Sequence, residues 1–339
     1  MDSKYTIQDI ADMAKVSKST VSRYLNQGYI SQEKMDKIKE VIQETGFQSN
    51  FFAKRLKMKQ SKLIGIILPR MDSVTVGKLL EGVNRILEPE GYQGLILVSD
   101  LKKKKEICNI SNLQQQGVDG IIIDSLGITR EHLQVLKTFD IPVVFTGQQH
   151  HSVHYVKIDD EGAGRIMGAY VRQKGHHHVV FAGVTNMDRA VGIERKQGFI
   201  DAFMENHPDA KVDFVKTGFS FESAYASGSE ILAFKPTAVI CATDNIGLGV
   251  LRYLHEQKIK VPQEISVAGF GGYAVGVVSY PALTTVAFDY ELVGMKTAQG
   301  LLDLIAGKKM ESQSNLPLSF IERESVCRRQ KDGVDKDRI

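Results

Sequence analysis

The chain has 339 residues, of which 42% are hydrophobic and 24% charged, an ordinary balance for a globular protein of two or three domains. Its net charge of +3 is unevenly spread: residues 1–62 hold 12 Lys/Arg against 7 Asp/Glu, whereas the rest of the chain holds 31 against 33. No apolar run approaches the roughly 20 residues of a membrane span, MDSKYTIQD has no leader-like apolar core, and three distant cysteines give no disulfide framework, so a cytoplasmic location with reduced thiols is expected.

Residues 6–44 read as three short helices. Thr6 caps TIQDIADMA, with Ile7, Ile10, Ala11 and Ala14 at helical spacing. After a tight turn at 14–16, Ser17 caps a second helix that turns Val21, Tyr24 and Leu25 inward. Gly28 breaks it, Ser31 starts a third helix with Met35, Ile38, Val41 and Ile42 on one face, and Gly46 ends that helix. In a helix-turn-helix the second helix enters the major groove. Its hydroxyls and N-terminus suit phosphates, Lys18 and Ser19 face base edges, and Arg23 can fork onto guanine. Asn26 and Ser31 suit phosphate positioning.

From Asn50 to Lys62 there are five cations and no acid. This segment reads as a linker that orders only in company. Leu56 is either a wedge for the minor groove or a contact to the body. From Leu63 onward, apolar runs at 63–68, 94–99, 119–124, 141–146, 178–183, 237–243 and 264–270 alternate with amphipathic segments. That pattern predicts parallel sheets covered on both faces, split into two doubly wound subdomains near 159–164.

TIQDIADMAKVSKSTVSRYLN, SNFFAKRL, LIGIILP, KIDDEGAGRIMGAYVRQKGHHHVVFAG, ERKQGF, CATDNIGLG and ISVAGFGGYAVGVVSYPALTTVAFDYELVG occur in order over essentially the whole chain. Together they resemble the lac repressor/galactose repressor family. Within it, GFGGY, YPALTTVAFDY and IILPRMDS are most similar to sucrose operon repressors of Gram-positive bacteria. The resemblance implies an all-α helix-turn-helix headpiece (1–49), a hinge (50–61) and an α/β body like a periplasmic sugar-binding protein (62–322). The N-lobe would be 62–160 plus 290–322, the C-lobe 161–289, and 323–339 a flexible tail. It implies a homodimeric, non-enzymatic repressor on palindromic operator DNA, with no cofactor or membrane. A phosphocarrier co-repressor is possible in such proteins, and the lack of a heptad tail favours dimer over tetramer.

The DNA-contact set is then Thr6, Ser17, Lys18, Ser19, Thr20, Ser22, Arg23, Asn26, Tyr29 and Ser31, with Asn50, Ala53, Lys54 and Leu56 in the hinge. For the effector, strand ends offer Arg70, Asp72, Ser73, Asp244, Gly271 and Tyr273, the loop 148–154 offers Gln148, and Phe221, Phe270 and Tyr273 are stacking faces. Asp244 either caps its helix or meets ligand, and Arg195 matches the family's sugar-binding arginine. Gly271 and Gly147 stand where many relatives carry Asp. Glycine at 147 argues against trehalose-6-phosphate and leaves sucrose, sucrose-6-phosphate or fructose. His176, His177 and His178 alternate sides on entering a strand and cannot share one metal. A transport receptor is disfavoured by the basic head; an enzyme is disfavoured because GxGxxG, GxxxxGK[ST] and GxSxG are missing.

Overall fold

A computed structural model describes residues 5–25, 28–47 and 60–329, and divides the chain into two compact units between Ser61 and Lys62. The first unit holds helices α1 (Ile7–Met13), α2 (Lys18–Leu25) and α3 (Gln32–Thr45). Thr6 and Asp9 close a capping box on α1: the Thr6 amide donates to Asp9 Oδ2 at 2.7 Å, and the Asp9 amide to Thr6 Oγ1 at 3.3 Å. Lys15 makes the turn at φ 52°, and Gly46 ends α3 at φ 63°, a conformation that costs glycine little. Ile10, Ala11, Ala14, Val21, Ile38, Val41 and Phe47 form the small core, with Tyr24, Leu25 and Ile42 packed at its edge.

The second unit contains two six-stranded sheets. Lobe 1 is built from β1 (Leu63–Leu68), α4 (Val74–Leu87), β2 (Gln93–Val98), α5 (Lys103–Gln115), β3 (Gly120–Asp124), α6 (Arg130–Leu136), β4 (Val143–Thr146) and β5 (His154–Ile158). The chain then crosses to lobe 2: α7 (Asp160–Gln173), β6 (His178–Gly183), a π-helical turn (Ala190–Arg195), α8 (Lys196–Met204), β7 (Lys211–Lys216), α9 (Phe221–Ala226), α10 (Gly228–Ala233), β8 (Ala238–Cys241), α11 (Asp244–Glu256), β9 (Ser266–Gly271), α12 (Val275–Val278) and β10 (Thr284–Phe288). It returns to lobe 1 for α13 (Tyr290–Ile305) and β11 (Gln313–Leu316), and crosses again to add β12 (Leu318–Ile321) to lobe 2.

The sheet orders are β2-β1-β3-β4-β5-β11 and β7-β6-β8-β9-β10-β12, the same winding used twice. All pairings are parallel except β10 with β12. Central strands such as Ile64–Ile67 and Val239–Cys241 are buried on both faces, which is why they read as continuous apolar runs. The first two crossovers each end in an aspartate that caps the next helix: Asp159 accepts from the Gly162 amide and Asp289 from the Leu292 amide, each at 2.8 Å.

Two expected boundaries are corrected. The N-lobe does not extend to residue 322, because Pro317 separates β11 in lobe 1 from β12, which pairs antiparallel with β10. Nor does a free tail begin at 323. Ser325 is fully buried, donating to the Val267 carbonyl at 2.6 Å and accepting from the Thr284 amide at 2.8 Å, and the Arg329 amide reaches the Lys174 carbonyl at 2.7 Å. The cationic run RR(Q)K hid this third attachment. The three histidines diverge: His176 meets Thr237 and the Cys327 carbonyl, His177 meets His207, and His178 meets Asp213.

Candidate DNA-reading head and effector cleft

In the head, hydroxyls and cations of the second helix lie outward. Ser17, Lys18, Ser19 and Arg23 are exposed, Thr20 and Ser22 half-buried, and Tyr29 is 96% exposed. Ser17 holds the helix start: its hydroxyl accepts from the Thr20 amide at 3.2 Å and lies 2.8 Å from both the Ser19 and Thr20 hydroxyls. Thr6 and Ser31 are exposed at the starts of α1 and α3, and the Ser31 side chain makes no capping bond. With no acid in the first turn of α2, its N-terminus presents amides, hydroxyls and one lysine, a surface that suits phosphate. Asn26, Asn50, Ala53, Lys54 and Leu56 lie outside the described residues.

In the body, the carboxyl ends of β1, β3, β4, β5, β6 and β8 converge on a cavity of about 130 Å³. This is where doubly wound sheets bind ligands. Arg70, Ser73, Gln148, Arg195 and Tyr273 line it as expected. Arg195 ends the π-helical turn and is only 3% exposed. Its Nε and Nη2 donate to Asp160 Oδ1 at 3.0 and 2.6 Å, and its Nη1 donates to the Ala242 carbonyl at 2.6 Å. The rings of Phe288 and Phe270 lie 4.8 and 5.2 Å from its guanidinium carbon. Glycines 164 and 198 allow this turn to approach α7: a Cβ at 164 would come within 2.1 Å of the Arg195 carbonyl oxygen. Arg195 therefore positions the cleft wall, with most of its donors already used.

Five expected ligand contacts are not in the lining. Asp72 points to solvent and pairs loosely with Arg70 at 3.7 Å. Phe221 is exposed at the start of α9, and Phe219 faces the cleft instead, its ring 4.6 Å from the Arg70 guanidinium carbon. Phe270 is fully buried beneath Arg195. Asp244 is also fully buried, accepting from the Tyr273 amide at 2.8 Å and the Thr285 hydroxyl at 2.7 Å, so it ties α11 to the loop after β9 and to the start of β10. Burial pushes its carboxyl above the usual carboxylate range despite those bonds. Gly271, at φ 133°, leaves the space that the Tyr273 ring fills; a Cβ there would lie 2.4 Å from the ring.

Sequence reasoning missed Asp124, Lys157, Asp160, Asp188, Phe219 and Tyr290, all of which line the cavity. Asp124 closes β3, so the strand-end rule was sufficient to find it. Asp160 and Tyr290 are the first residues of α7 and α13, placed there by the two Asp-capped crossovers. Lys157 pairs with Glu194 across the lobes, and Gln148 donates to Asp188 Oδ1 at 3.3 Å, also across the lobes. Burial raises Asp124 to about 7 and Asp188 to about 6, with neighbouring carboxylates adding to both.

Residues 6–50 match the model of bacterial regulatory proteins of the lacI family, and residues 169–326 match a periplasmic binding protein-like domain. The sucrose operon repressor of Staphylococcus xylosus is 34% identical over 91% of this chain and 96% of its own length. The regulator TreR of Escherichia coli K12 is 27% identical over 94% and 100%. A lac repressor dimer bound to operator superposes with a TM-score of 0.86 at 23% identity, covering 95% of this chain and 99% of that one, which supports the fold. On this likeness along nearly its full length, the chain belongs to the lacI family of bacterial regulatory proteins and is a DNA-binding transcriptional repressor rather than an enzyme.

Proposed function

We propose that this repressor acts as a homodimer on a near-palindromic operator of a sucrose-utilisation operon, and that a sugar held between its lobes sets its grip on DNA. The observation that carries the reading is the 34% identity to a sucrose operon repressor across nearly both chains. The cleft supports it: carboxyls, amide and hydroxyl groups face an aromatic wall of Tyr273, Tyr290 and Phe219, a lining suited to a carbohydrate's alternating polar and C–H surfaces. Cations of the head supply salt-sensitive phosphate binding, and Lys18, Ser19 and Arg23 add base discrimination. The effector acts only through unequal affinity for two arrangements of the protein, and a tenfold change in operator affinity needs about 1.4 kcal/mol of such coupling.

Fluorescence anisotropy with a promoter duplex from the chain's own sucrose genes tests this. Sucrose, fructose or sucrose-6-phosphate is expected to change affinity at least tenfold, while trehalose leaves it unchanged. Equal affinity for that duplex and a random one, with every sugar silent, overturns the reading.

A further inference from the structure

The cleft contains more acid than its own cations engage. Arg195 is bound to Asp160, and Lys157 to Glu194. Glu106, behind the wall, is taken by the Ser125 hydroxyl at 2.7 Å and by His132 at 2.9 Å. Two lining carboxyls remain, one from each lobe: Asp124 at the end of β3, and Asp188 after β6. Among the described residues no hydrogen-bond donor reaches Asp124. Asp188 is 8% exposed, and both its donors, the Val191 amide at 3.0 Å and Gln148 at 3.3 Å, go to Oδ1, so Oδ2 has none among the described residues. Gly147, at φ 80°, keeps the space beside Asp124 open: a Cβ there would stand 3.2 Å from Asp124 Oδ1.

Arg70 is the remaining cation of the lining, and it lies over the Phe219 ring. A phosphate in this cavity would have Arg70 to meet, whose charge already acts on Asp124, and would lie beside two carboxyls that repel it when ionised. A sugar hydroxyl donates to a carboxylate and accepts from a carboxylic acid, so it pairs with either carboxyl in both protonation states.

We propose that Asp124 and Asp188 form a two-lobed acceptor pair that reads the effector's hydroxyls and selects an uncharged sugar over its phosphate ester. The inference rests on the sugar-effector reading above and sharpens it. When hydroxyls bridge the pair, the ligand also draws the lobes together, which joins recognition to lobe arrangement in one step.

Calorimetric titration of the full chain with sucrose, fructose and sucrose-6-phosphate tests it. Wild type is expected to bind sucrose or fructose at least tenfold more tightly than the phosphate ester. Asp124→Ala and Asp188→Ala are each expected to weaken that sugar at least tenfold while narrowing the gap to the ester. Circular dichroism reports whether each variant is folded, and the isosteric Asp124→Asn and Asp188→Asn replace any alanine variant that is not. A phosphate ester that binds wild type as tightly as the sugar overturns the inference and leaves the repressor reading standing, as do folded variants with sugar affinity within twofold of wild type. Failure of all three compounds to bind wild type defeats the sugar-effector reading itself.

Discussion

In the head, the Ser17 hydroxyl finds its partners two and three residues away, and Lys18 and Arg23 extend from one short exposed helix. In the cleft, Arg195 bonds to groups 35 and 47 residues away, and Gln148 to one 40 residues away, from side chains that are almost wholly buried. Water shields the first set and leaves it free for DNA. The second set has lost its water, so each charge depends on the partner that the fold delivers. Polar groups held locally are therefore replaceable one at a time, whereas those held across the fold fail together.

The largest test of that contrast is Arg195→Ala. It leaves Asp160 as a buried unpaired charge and removes the donor to the Ala242 carbonyl, so urea unfolding of the body is expected to lose about 3–5 kcal/mol. A loss below about 1 kcal/mol would show that the cleft tolerates change as a surface does.

Acid gives the next effect. Burial lowers His176 from 6.5 to about 4. The unfolded chain takes up that proton near pH 6.5 and the folded chain only near 4, so the contribution is complete above 6.5 and falls as pH drops through that window. The full span is worth roughly 3 kcal/mol. Asp124 and Asp188, raised in the fold, work in the opposite sense over the same range. The histidine's share is therefore read as the difference between wild type and His176→Asn in urea midpoints at pH 7.5, 5.5 and 4.5. Parallel pH profiles for the two proteins would refute the assignment.

Smaller effects belong to the head. Arg23→Ala is expected to leave unfolding within about 0.5 kcal/mol of wild type and to weaken specific operator binding by about 1–3 kcal/mol, flattening discrimination at one base pair in a competition gel shift. Thr6→Ala removes the hydroxyl half of the capping box and is expected to cost the head about 1 kcal/mol, seen as a lower thermal midpoint.

Legibility followed the same division. The three head helices were readable because caps, a turn and a 3.6-residue apolar stripe are local signals. The central strands were readable because burial on both faces makes a continuous apolar run. Strands β5, β7, β10, β11 and β12 were not among the runs identified, because HYVKI, KVDFVK, TTVAF, QSNL and LSFI mix polar with apolar residues and lack that run. Phe221 lies outside the cavity and Phe219 within its lining because the turn of the chain entering α9 decides which ring faces the cleft, and no local spacing encodes that.

Sequence alone determined the helix-turn-helix head, the basic segment after it, the doubly wound body and the family, since each rests on short-range pattern or on motifs in order. Tertiary structure decided the third crossing at Pro317, the burial of Asp244 and Phe270, and the placing of Asp124 and Asp188, from opposite lobes, in the lining of one cavity. Those outcomes depend on which distant backbone arrives beside a side chain and on how much water it displaces, and neither quantity is written in the neighbours along the chain.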